Sequence, residues 1–321
     1  VSRGRSILFK GGDYGLEAGD WRLERLTSTQ SPTPVPDFIM QTITDIKDMQ
    51  AHFQAARSAG QTIAFVPTMG YLHEGHMSLL HEGRKRGDLL VLSIFVNPTQ
   101  FGQGEDLERY PRDFNRDEAM ARECDVDLIF YPDTASIYPD GYATYVSVEG
   151  PLTNTLEGAC RPTHFRGVTT VVTKLFTIVV PHVALFGRKD FQQLAVIRRM
   201  AADLNLPVEI VGMPIIRESD GLAMSSRNVY LSASERQQSL SLIDALNTAA
   251  SMVRAGERAA SVVLAKTVDR LESEPDLEVD YVKICHAETF AEVDQIDQES
   301  VMLLAVKVGK TRLIDNSLLV E

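Results

Sequence analysis

From residue 39 onward, five short apolar segments alternate with amphipathic stretches, and this alternation limits the possible folds more than any other feature. The apolar segments are TIAFVPT (62–68), LLVLSIFVNP (89–98), DVDLIFYP (125–132), HVALFG (182–187) and VEIVGMPII (208–216). The pattern between them predicts helices over residues 76–86, 114–124, 168–180 and 190–204. Parallel strands need a crossover connection, which these helices supply. The sequence therefore predicts a doubly wound, Rossmann-like α/β domain with a parallel sheet.

The two ends of the chain differ from this central region. Residues 1–37 contain a Gly-Gly pair and the stretch TSTQSPTPVP, which predict a flexible N-terminal extension. The α/β domain is assigned to residues 38–215. Beyond it, a polar loop leads to two predicted helices and two predicted strands, which are typical of a smaller α+β domain over residues 216–321. The helices are predicted over 233–256 and 259–274, and the strands are VDYVKICHA (279–287) and SVMLLAVKVGKTRLIDN (300–316).

Composition excludes several classes of function. The 321 residues are 44% hydrophobic and 24% charged, with a formal net charge of -12. That charge argues against a broad grip on nucleic acid or on an anionic membrane. The longest apolar run, residues 169–187, is interrupted by Lys174, Pro181 and His182, which argues against a membrane span.

The cysteines and the first residues bear on the compartment. Three widely separated cysteines without a CxxC pair fit a reducing compartment, so we expect a cytoplasmic protein. The first residues are basic but have no sustained apolar core, so we do not interpret them as a secretory signal.

The segment PTMGYLHEGHMSLL (67–80) places two histidines at the end of the first of these predicted strands. His73 and His76 lie about one helical turn apart, and Gly70 and Gly75 permit a close approach of the backbone to a ligand. Imidazoles at a strand end can donate hydrogen bonds to phosphate oxygens. Two other interpretations remain open: part of a zinc site, although HExxH is absent, or two surface histidines that cap a helix.

Two further loops offer groups that bind anions. DGLAMSSRN (220–228) carries two serines and the guanidinium of Arg227, although a polar interdomain linker would have the same composition. LFGRKDFQQL (185–194) follows a strand and offers Gly187, Lys189 and an N-cap residue, Asp190. An ordinary solvated helix start is the alternative for this second loop.

Two more segments contain residues that could bind a ligand. SIFVNPTQFGQGEDLERYPR (93–112) places the amides of Asn97 and Gln100 at another strand end, where they can hydrogen-bond a hydroxy acid without carrying charge. VGKTR (308–312) ends like a Walker A loop, but Leu304 stands where the leading glycine belongs. Because that string lies within a predicted strand, we interpret Lys310 and Arg312 as structural or edge residues.

These motifs together resemble a known family. HEGH matches the HxGH signature of the nucleotidylyltransferase superfamily, related to class I aminoacyl-tRNA synthetases, and AMSSRN resembles its KMSKS-type loop. FVPTMGYLHEGH, SIFVNPTQF, LEGACRPTHFRGV, FGRKDFQQL, DGLAMSSRN and GKTRLIDN, in this order, resemble the pantothenate synthetase (pantoate–β-alanine ligase) family from about Ile39 to the C-terminus. The resemblance implies a ligase that forms a C–N bond. It would condense (R)-pantoate with β-alanine, using ATP, through pantoyl adenylate, and release AMP and pyrophosphate.

The resemblance also implies the site residues. His73, His76, Lys189, Ser225, Ser226 and Arg227 would be catalytic. ATP would contact Met69, Gly70, Tyr71, Leu72, His73, Glu74, Gly75, His76, Gly187, Arg188, Lys189, Asp190, Ile216, Met224, Ser225, Ser226 and Arg227. Gln100 and Gln193 would bind pantoate, with Gln100 also reaching β-alanine. Mg²⁺ would bridge the phosphates, with Asp117 as a candidate protein ligand.

Two positions depart from the family pattern. Arg188 stands where a glutamate is common, so we expect nucleotide binding to persist with a changed charge beside it. Near Asp117, Arg116 and Met120 do not supply the acid or amide that some relatives have, which weakens the case for a metal site built by protein. The resemblance further implies a homodimer formed through the larger domain, with the smaller domain acting as a lid.

Three rival functions remain. Another HxGH enzyme, such as a cytidylyltransferase or pantetheine-phosphate adenylyltransferase, would share HxGH but lack NPTQF and RPTHFRGV. A tRNA-binding relative of the synthetases would need a basic surface, against which the acidic balance argues. A catalytically silent nucleotide-binding protein would not need the intact histidines, lysine and serine pair.

Overall fold

The alternation of strands and helices produces a six-stranded parallel sheet in the computed structural model, which describes residues 40–320. The extension predicted for residues 1–37 therefore lies outside the described residues. The first elements are β1 (Gln41–Ile43), α1 (Ile46–Ser58), β2 (Ile63–Thr68), α2 (Glu74–Arg86), β3 (Leu89–Ile94), α3 (Phe114–Glu123), β4 (Leu128–Phe130) and α4 (Thr134–Ile137). They continue with α5 (Pro151–Asn154), α6 (Glu157–Cys160), α7 (His164–Val179), β5 (Val183–Gly187), α8 (Phe191–Asp203) and β6 (Glu209–Met213). Short 3₁₀ turns cover Pro98–Gln100, Arg188–Asp190 and Ser226–Tyr230.

The strand order locates the expected ligand crevice. The strands lie in the order β1-β4-β3-β2-β5-β6, and every neighbouring pair is parallel. The chain leaves β2 toward β3 and leaves β5 in the opposite direction, toward β6. Neighbouring strands with opposite exits define a topological switch point, where ligands bind at the carboxyl ends of the strands. The HEGH segment follows β2 and the RKD segment follows β5, so both lie at this point.

Alternating side chains bury the two faces of this sheet. Phe65 and Val91 point to the face covered by α1, α7 and α8, where Phe53 and Phe176 belong to the same core. The neighbouring strand residues, such as Val66, point to the other face, which α2 and α3 cover. Central strands of such a sheet are buried on both faces, which explains their continuous apolar sequences.

The C-terminal part forms a second, antiparallel sheet. Its elements are α9 (Ala233–Ser239), α10 (Ser241–Arg254), α11 (Ala260–Glu272), β7 (Leu277–His286), β8 (Ser300–Val308) and β9 (Thr311–Leu318), with strand order β7-β8-β9. One face packs on α10 and α11 through residues such as Met302 and Leu304. The other face contributes Val301 and Leu303 to a cluster with Leu156 and Phe191 of the α/β part. The predicted fold class is confirmed, whereas the domain boundary near residue 216 stays a prediction.

Three element predictions were wrong in detail. The strand predicted over 300–316 is a hairpin, because residues 309 and 310 form a two-residue turn with Gly309 at φ +57. The helix predicted over 233–256 divides at Leu240, where the Ser239 hydroxyl bonds back to the carbonyl of Glu235. The helix predicted from residue 168 begins at His164, because its first turn also packs into the protein. None of the helices in the described part of the chain combines the length and the apolar character that a membrane span requires.

Candidate active site

A cavity of about 230 Å³ opens at the carboxyl ends of the central strands, and most of the predicted site residues line it. Its walls come from the loops after β2, β3, β5 and β6, from α7 and from the 224–227 segment. The predicted residues in the lining are Met69, His73, Gly75, His76, Gln100, Gly187, Lys189, Asp190, Gln193, Ile216, Met224, Ser225, Ser226 and Arg227. Asp117, described below, does not line it, and neither do five of the predicted ATP contacts: Gly70, Tyr71, Leu72, Glu74 and Arg188. Segments more than a hundred residues apart in sequence thus meet at one site.

The two histidines form the start of α2 by capping each other. His73 is the N-cap, and its Nδ1 accepts a hydrogen bond from the backbone N–H of Gly75 at 3.2 Å. Nδ1 of His76 accepts from the backbone N–H of His73 at 3.3 Å. This is a capping box in which imidazoles replace the usual hydroxyl and carboxylate. Because Nδ1 accepts in both rings, each Nε2 carries the proton and remains a donor.

The surroundings keep both rings neutral. Burial, followed by the charge of Lys189, lowers the pKa of His73 to about 4. Burial and then the neighbouring His73 and Lys189 hold the pKa of His76 well below its usual value. The ring centroids are 4.1 Å apart, so two imidazolium ions would repel strongly. At neutral pH the site therefore presents two uncharged N–H donors.

The close packing of these rings depends on Gly75. A Cβ at this position would lie 2.9 Å from two ring atoms of His73. The sequence suggests that Gly75 allows a ligand to approach the backbone. In the structure, the missing side chain of Gly75 also leaves room for the capping ring of His73. The described residues contain no group of three or more His, Cys, Asp or Glu side chains placed to hold a metal ion.

Asp117 holds the loop between β2 and α2. Its carboxylate oxygens accept hydrogen bonds from the backbone N–H groups of Tyr71 and Leu72, both at 2.7 Å. The side chain is 1% exposed, and burial raises its pKa although these two bonds act in the opposite direction. Both oxygens are already engaged with backbone. A metal-binding role for Asp117 stays a prediction, and its observed contacts orient the histidine loop.

The five residues outside the lining have other environments. Leu72 is fully buried in the core between the sheet and α2. Arg188 donates through Nε to the carbonyl of Gly212 at 3.1 Å, and Glu74 is exposed. Gly70 and Tyr71 belong to the turn that Asp117 holds. ATP contacts of these five residues, like those of the residues in the lining, stay predictions.

A buried amide pair orients Gln100. The Asn97 side chain, 1% exposed, donates through Nδ2 to Oε1 of Gln100 and to the carbonyl of Gly167, each at 3.1 Å. Since its Oε1 is fixed in this way, Gln100 turns Nε2 toward Met69, whose sulfur lies 3.3 Å away. The Gln100 amide therefore enters the cavity as a donor. This arrangement suits recognition of a hydroxyl or carboxylate oxygen.

The position of Lys189 is set from the C-terminal sheet. Nδ2 of Asn316, on β9, donates to the carbonyls of Arg188 and Lys189 at 3.0 and 2.9 Å. Asn316 is 6% exposed, so these bonds are shielded from water. The adjacent Asp315 forms a two-pronged ion pair with Arg217, at 2.6 and 3.0 Å. The motif GKTRLIDN thus contributes two residues that support the site, a role that the sequence did not suggest.

Arg227 is tied to a residue that sequence reasoning missed. Its Nε and Nη2 atoms each lie 2.8 Å from an oxygen of Asp106, which follows the Gln100 loop. Ser225 caps the short turn that contains Arg227, and the Ser226 hydroxyl donates to the carbonyl of Tyr71 at 3.3 Å. The serine-rich segment is therefore part of the cavity wall, against the alternative of a plain linker.

His164 and Arg161, two further residues that the sequence did not single out, lie next to the backbone of Gln100. The ring of His164 bonds through Nδ1 to the Gln100 carbonyl at 3.0 Å, and its Nε2 lies 3.3 Å from Arg161. Burial and then the charge of Arg161 lower the pKa of His164 to about 4. Arg161 forms a two-pronged ion pair with Glu105 at 2.9 and 2.6 Å. The motif RPTHFRGV was the only sequence signal for these residues.

Comparison with known proteins identifies the family of this chain. A family model described as pantoate-beta-alanine ligase matches residues 41–318. A pantothenate synthetase from Syntrophotalea carbinolica is 62% identical over 88% of this chain and 99% of its own length.

Two solved structures are also similar. Pantothenate synthetase from Thermus thermophilus has a TM-score of 0.84 at 44% identity, covering 88% of this chain and 100% of its own. Pantoate-beta-alanine ligase from Francisella tularensis, complexed with beta-gamma ATP and beta-alanine, has a TM-score of 0.72 at 30% identity, with coverages of 87% and 98%. With the family model spanning nearly all the described residues, the chain belongs to the pantoate-beta-alanine ligase family.

Proposed function

We propose that this chain joins (R)-pantoate to β-alanine in two ATP-dependent steps, releasing pyrophosphate and then AMP. The carboxylate of pantoate first attacks the α-phosphorus of ATP, and the amine of β-alanine then attacks the resulting mixed anhydride. The central supporting observation is the cavity at the switch point, where two neutral imidazoles, Lys189 and the Ser225–Arg227 turn face one space. Such a set of donors suits a triphosphate.

In the first step the histidines act as donors of hydrogen bonds. As the P–O bond to pantoate forms and the bond to the β-phosphate breaks, charge on the phosphate oxygens is redistributed. Nε2–H of His73 and of His76 would stabilise that charge without transferring a proton, because phosphoryl transfer depends mainly on electrostatic stabilisation. Neutral rings also keep their hydrogen-bonded caps, so the donors are fixed before the substrate arrives.

The other predicted residues divide between the two ends of the substrate pair. Lys189, Ser225, Ser226 and Arg227 are proposed to hold the β- and γ-phosphates. Gln100 and Gln193 are proposed to bind pantoate, and Gln100 also reaches β-alanine. The Asn97 contact supports this assignment, since it fixes the Gln100 amide with its donor exposed to the cavity.

Magnesium, oligomeric state and compartment belong to the same proposal. Mg²⁺ would neutralise phosphate charge when bound, but the described residues hold no cluster of three metal ligands, so it is expected to arrive with the nucleotide and its waters. We propose a homodimer and a cytoplasmic location from the family resemblance. All three cysteines are free, which fits a reducing compartment.

The decisive assay is AMP release by the purified chain. We expect AMP to form only when ATP, pantoate and β-alanine are all present, with pantothenate produced in equal amount. AMP release without pantoate, or nucleotide transfer to another acceptor in its place, would instead indicate a different HxGH enzyme. Filter binding of bulk tRNA is expected to show only weak retention, because the chain is acidic.

A further inference from the structure

A second cavity of about 230 Å³ adjoins the first and shares part of its wall. The shared residues include Lys189, Ser225 and Arg227, to which the proposed function assigns the β- and γ-phosphates. From this junction the second cavity extends toward the β8–β9 hairpin and the loop before α3, where Lys310 and Arg109 lie. The phosphate end of the first cavity therefore adjoins the second.

The hairpin turn is built to present a lysine here. Val308 pairs with Thr311, so Gly309 and Lys310 are the two central residues of the turn. Gly309 has φ +57, and a Cβ there would collide with the side chain of Glu235. The turn is thus confined by α9 on one side, and Lys310 is exposed at its tip. This is the segment whose sequence resembles the end of a Walker A loop.

The arginines of the inner wall are paired with carboxylates. Arg227 binds Asp106 at 2.8 Å, and Arg161 binds Glu105 at 2.6 Å. Arg312 similarly binds Glu157 at 2.7 Å and Asp280 at 2.6 Å. Each of these guanidiniums is no more than 27% exposed, so its position is well defined. Paired in this way, they supply ordered N–H groups but little net charge.

The cations at the rim differ from those of the inner wall. Among residues 40–320, neither Lys310 nor Arg109 has a carboxylate within the 4.0 Å of an ion pair, and Arg109 instead lies over the ring of Tyr230. Lysines and arginines outnumber carboxylates in the lining, although the chain as a whole carries a net charge of -12. A local positive excess on an acidic protein attracts small anions.

We propose that this second cavity binds the pyrophosphate released in the first step, with Lys310 and Arg109 as its outer cationic ligands. The inference rests on the proposed function. When pantoate attacks, the bond between Pα and the bridging oxygen breaks, and that oxygen leaves with its electron pair on pyrophosphate. The adenylate still fills the first cavity, so the leaving group departs through the side that already holds its phosphates. Unpaired cations along that side give pyrophosphate a path out while the mixed anhydride stays enclosed.

The test measures pyrophosphate binding by calorimetry and pyrophosphate inhibition of AMP release. The variants are Lys310→Ala, Arg109→Ala and the double variant, with Lys283→Ala as the matched control. Lys283 is also a lysine of the C-terminal sheet, but it pairs with Glu292 and does not line the cavity. We expect the double variant to weaken pyrophosphate binding about threefold to tenfold, in line with two exposed charge contacts. Lys310→Arg should restore most of the Lys310 contribution.

Two readouts make the result specific. Inhibition by AMP, which occupies the first cavity, should change no more in the variants than in the Lys283→Ala control. Pyrophosphate affinity in the double variant equal to that of the control would overturn the inference. Failure of the unmodified chain to make pantothenate would overturn the proposed function instead, and calorimetry with pyrophosphate alone would still decide whether the second cavity binds it.

Discussion

Replacing Asn316 tests whether the C-terminal sheet positions the phosphate-binding lysine. Asn316→Ala removes the two hydrogen bonds to the carbonyls of Arg188 and Lys189, at 3.0 and 2.9 Å. A neutral hydrogen bond contributes about 1 kcal/mol net. Without these two bonds, the observed conformation of the 188–190 turn is therefore stabilised by about 2 kcal/mol less. If this loss is expressed fully in the transition state for adenylation, the rate falls about 30-fold.

The assay separates the two half-reactions. Pantoate-dependent exchange of labelled pyrophosphate into ATP reports adenylation, and pre-made pantoyl adenylate with β-alanine reports amide formation. We expect Asn316→Ala to slow exchange much more than amide formation, because Lys189 is assigned to the departing phosphates. Asn316→Asp, which keeps the size but cannot donate, should behave similarly.

Controls distinguish positioning from general damage. Ser317→Ala is the matched control, since within residues 40–320 the neighbouring hydroxyl bonds only to the carbonyl of Leu318 on the same strand. Thermal unfolding of each variant measures stability separately. Normal exchange in both Asn316 variants, or equal slowing of both half-reactions at unchanged stability, would refute the positioning argument.

Three further predictions follow from the same geometry. His73→Ala or His76→Ala should lower adenylate formation about 100- to 1,000-fold with the circular dichroism spectrum unchanged, and normal turnover of either variant would contradict the donor role. Lys189→Ala should impair exchange more than amide formation from pre-made adenylate, and equal damage would count against its phosphate role. The pKa of His73 is lowered to about 4, so its ring stays neutral as pH falls through 6.5 and charges only near pH 4. Exchange should therefore show no histidine inflection near pH 6.5, and an inflection there that His73→Ala removes would refute the neutral-ring interpretation.

The same depressed pKa values have a consequence for stability. An imidazole whose pKa is lower in the folded state binds fewer protons than in the unfolded chain between about pH 4 and 6.5. The free energy of unfolding is therefore highest above pH 6.5, and it decreases as the pH falls toward 4. His164 should contribute as His73 does, since burial lowers its pKa to about 4 as well.

Local pattern was sufficient to predict the α/β architecture and the strand ends that carry the site. Apolar runs with helices between them leave few topologies, and the right-handed crossover rule reduces these further. The sequence alone was therefore enough to place three segments at one edge of the sheet: the histidine segment, the lysine turn and the serine-rich turn. The hairpin at Gly309 was missed because Gly309 is the only residue of its two-residue turn that is typical of turns, since Lys310 beside it is not.

The supporting contacts could not be predicted, because they join residues far apart in sequence. Asn316 and Lys189 are separated by 127 residues, and Arg227 and Asp106 by 121. Neither periodicity nor composition specifies such pairs. Capping of a helix start by His73 and His76 was one of the open interpretations, but the spacing suggested a shared ligand equally well and could not show that both rings cap through Nδ1. That capping determines which ring nitrogen carries the proton, and hence what the imidazoles can do.

The most direct test of the account is a crystal structure with an ATP analogue that cannot be cleaved. We expect phosphate oxygens within hydrogen-bonding distance of Nε2 of His73 and His76, with the β- and γ-phosphates contacting Lys189 and the Ser225–Arg227 turn. A nucleotide bound elsewhere, or bound here with its phosphates turned away from both histidines, would contradict it.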